Sequence, residues 1–392
     1  MPLDQQSLTT LQNALNRERL IETAIELIGI PSPTRSAGPV ANRLAEILTA
    51  DGFDVRREDA NWPEAPAVIA RLDSGRPGKT LQYDVHLDTV HLPFVPPDVK
   101  DKVLTGSGAS DMKGGVAAAV ESMRALYNSG CFKSGVIMLT AHDHHEAPWG
   151  DGRQVDKLIE MGFVGDGVLL PEYHCDSIPV VGRGIAVMQI TIRREGDPIH
   201  EVLRPEGQPH VILAACELIR RLEQLGAELA ATVDPLAGSG SVFIGKIDSG
   251  EIFNQAPTEC HIHGTRRWLP EESPEAIVQQ YDALLAEVAA ATGTRIESQL
   301  DTRMNAFRMD QQNLLITAFE SAHESITGKT LPFGAKPFVD DGNTYVTRGG
   351  IPAITHGPGA TGAHTMDERV SVDELVRVAH TYALTALNFC GC

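Results

Sequence analysis

Residues 141–150 read AHDHHEAPWG. His142, Asp143, His144, His145 and Glu146 follow directly on Val136–Leu139, a short apolar run that reads as a buried strand. Titratable groups delivered in a row at a strand end form either a solvated loop or the ligands and proton carriers of a metal site. Four further stretches bear on that choice. YDVHLDTV sets His86 and Asp88 two apart on one strand face, where a carboxylate can orient an imidazole ligand. GSGASDMKGG places Asp111 ahead of a helix among Gly106, Gly108, Gly114 and Gly115, which allow backbones to approach closely. VLLPEYHCD puts Glu172 after a strand that should be buried, where a carboxylate needs a partner. THGPGATGAHTMDERV carries His364 behind a glycine-rich loop, with Glu368 following.

Each stretch alone has an ordinary explanation. HxD pairs are common, Asp111 could simply cap its helix, and a lone His364 would be a surface histidine. Together they share one property: each lies at a strand's C-terminal end or in the loop after it, where ligand sites gather in open α/β sheets. Imidazole and carboxylate groups gathered there suit a divalent metal such as zinc, manganese or cobalt.

The elements needed to position these residues are legible in the pattern. Residues 17–30, 39–51, 111–128, 311–326 and those from Val372 have helical spacing; 53–57, 67–72, 80–85, 136–141, 168–170 and 351–355 read as strands. Helices interleaved with apolar strands predict an α/β layered domain with a largely parallel sheet. Between these halves the texture changes. Alternating strands at 185–193, 241–247 and 258–268, with helices at 211–225 and 274–291, predict a smaller α+β domain inserted into the first. The expected organisation is a catalytic domain over 1–183 and 300–392, interrupted by an insert over 184–299.

Bulk properties narrow the function classes. A net charge of −19 argues against nucleic acid and anionic membranes as partners. No stretch resembles a signal peptide or approaches the ~20 apolar residues of a membrane span, so a cytoplasmic location is expected. The six cysteines lack framework spacing and read as reduced thiols, and Cys390-Gly-Cys392 is not a CxxC pair.

The order HxD, glycine-flanked Asp, acid/His cluster, Glu and distal His resembles the zinc-dependent exopeptidase and deacylase family of acetylornithine deacetylase, succinyl-diaminopimelate desuccinylase, aminoacylase and glutamate carboxypeptidase. The resemblance covers nearly the whole chain. It implies a metallo-exopeptidase-like catalytic domain holding two metal ions and an insert acting as lid and dimerisation domain. It implies that His86 and Glu172 bind one ion, Asp111 bridges both, His364 binds the second, and Asp88 orients His86. In the lid, Asn254 and Pro257 match the family's NxxP pattern, and Arg267 falls on a strand arginine that grips a substrate carboxylate. His200 corresponds, loosely, to a histidine that reaches a neighbouring active site and polarises the scissile carbonyl. A small carboxylate-bearing substrate and a homodimer or larger homo-oligomer follow.

One departure stands out. After the fourth strand the family has Asp-Glu-Glu-x-Gly, whose first Glu is the general base and whose second is a ligand. Aligned without a gap, Asp143-His144-His145 takes that place, making His145 the ligand and His144 the base. A shift brings Glu146 into play as ligand or base; as a carboxylate it is the first choice for base, ahead of His144. A neutral histidine ligand would hold a second cation less well, so the site is expected to carry one tight ion, or two with one labile. Trp149 reads as core packing, although an aromatic wall beside the metal would suit a planar substrate. The leading function is metal-dependent hydrolysis of a C–N bond, the amide of an N-acyl amino acid or small peptide. The alternatives are hydrolytic deamination of an activated aromatic amino acid such as 5-nitroanthranilate, and an inactive relative serving as a binding protein.

Overall fold

The computed structural model describes residues 5–391, which leaves Cys392 and its pairing with Cys390 outside the described residues. The chain divides into two compact units, one running to Val180 and resuming over Met309–Lys336 and from Asp340, the other formed by Val181–Arg308 with Pro337–Val339.

The first unit is α/β. Its six-stranded sheet runs in the order Asp54–Glu58, Ala67–Asp73, Val136–His142, Thr80–His86, Gly167–Leu170, Ala353–Thr355. The last four strands are parallel, and the first two pair antiparallel at one edge. The parallel strands are buried nearly throughout, as such sheets require, with Gln82, Asp84, Thr140 and His142 enclosed among their apolar residues. Their shared direction brings His86, His142, Leu170 and Thr355 to one edge, with His86 opposite His142 in the ladder.

The helix Lys113–Ser129 is buried from Lys113 to Leu126 and therefore lacks an amphipathic stripe. Its charged groups are paired: Glu121 accepts from Arg19 at 2.6 and 2.9 Å, and Arg124 donates to Asp51 at 2.6 Å. Gly115 near its start is required by packing, since a Cβ there would stand 2.1 Å from the carbonyl of Pro171. That contact seats the helix following Asp111 directly against the segment carrying Glu172.

The second unit is α+β, a four-stranded antiparallel sheet in the order Ser241–Ser249, Glu259–Trp268, Gly184–Arg193, Arg295–Met304. The helices Val211–Ala230 and Pro274–Thr292 pack on the sheet through Leu218, Leu222, Tyr281 and Leu285. The strand Arg295–Met304 escapes the sequence pattern because the two apolar residues that it packs on the core, Ile296 and Leu300, are separated by the polar Glu297, Ser298 and Gln299. The short helix Arg153–Glu160 and the π-helical turn Tyr345–Gly349 were likewise not expected; neither is long enough to show periodicity. No helix among the described residues is long and apolar enough to cross a membrane. The five described cysteines are free.

Candidate active site

His86, Glu146 and Glu172 stand at or just after the ends of the parallel strands, and a separate four-stranded antiparallel sheet brings Asp111 and His364 to them. Asp111 follows its strand Val103–Thr105, and His364 lies in the turn between Ala360–Thr361 and Arg369–Ser371. His86 ends its strand, and its Nδ1 donates to the backbone carbonyl of Asp88 at 3.0 Å. A carbonyl can only accept, so Nδ1 carries a proton and Nε2 is the nitrogen directed into the site. Nε2 faces Asp111 Oδ1 at 3.1 Å and Glu172 Oε1 at 3.5 Å. On the other side of Asp111, His364 Nε2 lies 3.3 Å from Oδ2 and 3.0 Å from Glu146 Oε2. The carboxylate of Asp111 thus presents one oxygen to each histidine.

This arrangement suits cations. Burial would depress the His86 pKa, but hydrogen bonds to Asp111 and Glu172 hold it well above the ordinary imidazole range. Hydrogen bonds to Asp111 and Glu146 lift His364 to about 10. Burial and then repulsion from Asp111 push Glu172 up to about 7. These shifts mark closely packed carboxylates whose charge a bound cation would compensate. His86, Asp111 and Glu146 are close enough together to share an ion. The histidine–carboxylate contacts extend this into two donor sets meeting at Asp111, His86 with Glu172 and His364 with Glu146, of the mixed nitrogen and oxygen donors that zinc, manganese and cobalt accept.

The loop over residues 143–146 separates its side chains sharply. Asp143 turns inward to the chain, accepting from the backbone N–H of Arg35, Ala37 and His144 at 2.8, 3.0 and 2.6 Å. His144 adopts φ 69° and points away from the ligand cluster. Its ring meets the edge of Trp62 at 4.4 Å, and Asp151 lies 3.1 Å from Nδ1 but out of the hydrogen-bonding line. The position expected of His144 as a base is therefore not the one it takes.

His145 faces the cluster instead. Its ring is parallel to that of His86, with centroids 4.0 Å apart and planes at 1°. Nδ1 binds Asp341 Oδ2 at 2.6 Å, and Nε2 stands 3.7 Å from Glu172 Oε1. By spacing alone His86, His145 and Glu172 could share an ion. The stacking argues against it: an ion ~2 Å from His86 Nε2 in that ring's plane would lie far out of the plane of the parallel His145 ring, where no lone pair points. The geometry therefore favours Glu146, rather than the expected His145, as the loop's contribution to the ligands.

Asp88 also differs from expectation. Its carboxylate Oδ1 is 3.7 Å from His86 Nδ1, because the carbonyl of the same residue has taken that proton. Asp88 Oδ2 instead accepts the backbone N–H of His145 at 3.1 Å and of Glu146 at 2.9 Å. It fixes the two residues that face the cluster. Glu368 does the same for Asp111, accepting from the N–H groups of Gly108, Ser110 and Asp111 at 3.0, 3.1 and 3.1 Å. Trp149, expected in the core, is half-exposed, with the Arg35 guanidinium 5.6 Å above its ring.

In the second unit, Asn254 Nδ2 lies 3.3 Å from His200 Nε2, whose Nδ1 is 3.1 Å from Glu201. Arg267 is half-buried, and its Nη1 is buried without a hydrogen-bond partner. Asp341 was not singled out by sequence reasoning. The signal was there in PFVDDGN, where Asp340 and Asp341 follow an apolar residue and precede a glycine.

Comparison with known proteins identifies the family of the chain. Residues 83–388 match peptidase family M20/M25/M40. The N-formyl-4-amino-5-aminomethyl-2-methylpyrimidine deformylase of Halalkalibacterium halodurans is 23% identical, over 96% of this chain and 95% of its own. The aminopeptidase PepT of Bacillus cereus has the same fold, with a TM-score of 0.80 and 21% identity over 96% of this chain and 99% of that one. So does a dinuclear metal-binding peptidase of Bacillus subtilis, with a TM-score of 0.69 and 15% identity over 95% of this chain and 97% of the other. With the ligand-type residues gathered at the strand ends and the match extending over most of the sequence, the chain belongs to peptidase family M20/M25/M40 and is a metal-dependent hydrolase of C–N bonds.

Proposed function

We propose that the protein hydrolyses the amide bond of an N-acyl amino acid or small peptide at a two-ion site, with His145 as the general base. The observation that carries this reading is the convergence on Asp111 of two donor sets, His86 with Glu172 and Glu146 with His364. Because Glu146 supplies a carboxylate to the second set, the argument for a weakened second ion from a neutral ligand loses its footing.

When bound, the ions supply Lewis-acid polarisation of the carbonyl and an acidified water. His145 Nε2, directed at the cluster while Asp341 holds Nδ1, would take the proton from the attacking water as its oxygen bonds to the carbonyl carbon. The C–N bond then breaks and Nε2–H returns the proton to the departing nitrogen, giving a carboxylic acid and an amine. Although burial acts against it, the uncompensated carboxylates raise the pKa of His145 to about 10. Cations at the site would offset that charge and return the imidazole toward its ordinary range, where it exchanges a proton near neutral pH. Asp88 holds His145 and Glu146 in register through their backbones.

Arg267, Asn254 and His200 are assigned to substrate binding. The unpartnered Nη1 of Arg267 supports a carboxylate-bearing substrate, for which a guanidinium fork is the fitting receptor. The second unit is read as the lid and dimerisation domain; its edge strand Ser241–Ser249 exposes Phe243 and Ile247 and supports a homodimer. Free cysteines suit a cytoplasmic location. Amide hydrolysis is preferred to deamination of an aromatic amine because the similar proteins named above include a deformylase and an aminopeptidase. An inactive binding role is disfavoured by the intact donor sets.

The deciding experiment supplies zinc, manganese or cobalt and measures amine and ammonia release from N-formyl and N-acetyl amino acids, dipeptides and aromatic amino acids. Amine release with two bound equivalents of metal is expected. Ammonia release from an aromatic amino acid alone, or no turnover with any metal, would overturn the reading.

A further inference from the structure

Behind His145 lies a second buried group of titratable residues that the reaction as described does not use. Asp84, His142 and Asp341 come from two adjacent parallel strands and the short helix Asp341–Thr344, and all are almost wholly buried. His142 Nε2 lies 3.3 Å from Asp84 Oδ2 and 3.7 Å from Asp341 Oδ2, and His142 Nδ1 is 3.3 Å from the carbonyl of Asp143. All of these partners are acceptors, so both ring nitrogens of His142 are donors and the ring is a cation between two carboxylates.

The hydrogen bonds around this group run in one consistent direction. Gly165 N–H donates to Gln82 Oε1 at 2.9 Å, and Gln82 Nε2 donates to the hydroxyls of Thr140 and Tyr345 at 2.7 and 2.8 Å. Those hydroxyls, their oxygens occupied, both donate to Asp84 Oδ1, at 2.7 and 2.8 Å. Asp84 therefore keeps Oδ2 for His142. Asp341 is held at the start of its helix beside Asp340, which is itself fixed by Lys336, by Thr355 at 2.6 Å and by the N–H of Gly342 at 2.8 Å. Nothing in the group can rotate without breaking a buried hydrogen bond.

We propose that Asp341 is the positioning residue of the reaction, with His142 and Asp84 as its fixed support. Asp341 pins His145 in the tautomer with the proton on Nδ1, aims the free Nε2 at the reacting water, and offers a carboxylate to the imidazolium formed when that water is deprotonated. The group carries one positive and two negative charges, so it presents a net negative charge to His145. A carboxylate held against the far nitrogen of a catalytic histidine acts in this way in hydrolases of unrelated fold. The inference rests on His145 being the base. By spacing alone Asp84, His142 and Asp341 could instead hold an ion. The two hydroxyl donors already committed to Asp84 argue for the hydrogen-bonded reading.

The test begins with the unmodified zinc-loaded protein labelled with ¹⁵N-histidine, the His145 resonances being assigned by their loss in His145→Gln. A proton on Nδ1 is expected; a His145 protonated on Nε2 alone overturns the proposal without need of a further variant. Asp341→Asn is then compared with His145→Gln on the N-acetyl amino acid that the parent turns over fastest. For Asp341→Asn we expect kcat to fall by ~10²–10⁴-fold, with KM and both zinc equivalents retained and the Nδ1 proton signal lost. Asp341→Glu should recover part of the rate. If His145→Gln is inactive while Asp341→Asn turns over within a few-fold of the parent, the positioning role fails and the base remains. If His145→Gln stays active, the base reading itself fails. Loss of a zinc equivalent in Asp84→Asn would make the group a metal site and overturn the proposal.

Discussion

His144 and His145 are neighbours in the chain and chemically identical, yet they occupy opposite environments. His144 has Trp62 against its ring and Asp151 off its hydrogen-bonding axis, and burial lowers its pKa. His145 is stacked on His86 and bonded to Asp341; although burial and then the charge of His86 act against it, the nearby carboxylates lift it to about 10 in the bare chain. The contrast teaches that a ligand-rich sequence cluster need not be a ligand-rich site. What separates the two is a single left-handed residue at His144 and two backbone hydrogen bonds from Asp88 to the residues after it.

Substitutions along this loop can break that contrast. The largest effect is expected at His145: replacement by Gln should lower kcat by ~10²–10⁴-fold, the contribution of a positioned general base, while metal analysis still finds both ions. If one ion is lost instead, His145 is a ligand after all. Glu146→Gln should do the reverse, releasing one equivalent of metal on dialysis and losing turnover as a consequence; retention of both ions would remove Glu146 from the donor set. Outside the loop, Arg267→Gln should raise KM for a carboxylate-bearing substrate by ~10-fold or more, the cost of a charge-assisted hydrogen bond of about 1.5–3 kcal/mol, with little change for the corresponding amide. An equal rise for both would remove the carboxylate from its role. At His144 the expectation is structural: His144→Ala should lower stability by about 1–3 kcal/mol through lost packing on Trp62, with kcat within a few-fold of the parent. A large loss of kcat in a folded His144→Ala protein would restore His144 to the chemistry.

The smallest effect concerns pH. His364 in the metal-free protein has a folded-state pKa of about 10, above the unfolded value near 6.5, so its contribution to stability is complete below pH ~6.5 and is lost as pH rises through about 10. Glu172, raised to about 7, acts in the same direction, its contribution fading between its unfolded value and about 7. The thermal midpoint of the metal-free protein should therefore fall as pH rises across this range. Zinc should reverse the trend, since metal binds the deprotonated groups more tightly as pH rises. A midpoint that rises with pH in the absence of metal would contradict the cluster's geometry.

Much of the fold could be read from periodicity. Val136–Leu139 and Val168–Leu170 are apolar runs, and the helices interleaved with the strands required an α/β layered domain. The α+β texture between residues 184 and 299 marked a change of architecture. What periodicity could not show was the antiparallel edge formed by Asp54–Glu58 and Ala67–Asp73, since pairing direction leaves no mark on a strand's own sequence. Asp341 was overlooked for a related reason. It approaches His145 across 196 positions of chain, and the short helix presenting it has no periodic signal.

The sequence by itself determined that His86 and Glu172 would stand at one edge of a sheet, because parallel strands must all finish on the same side; Asp111 and His364 reach them from a separate antiparallel sheet that only the tertiary structure reveals. It also determined that an acid/His loop would join them. Only the tertiary structure decided which residue of that loop faces inward. Side-chain direction in an irregular loop depends on the turn at His144 and on the N–H groups claimed by Asp88, a residue 57 positions away from His145. Those hydrogen bonds exist only once the strands have paired, and so the difference between His144 and His145 is made by folding.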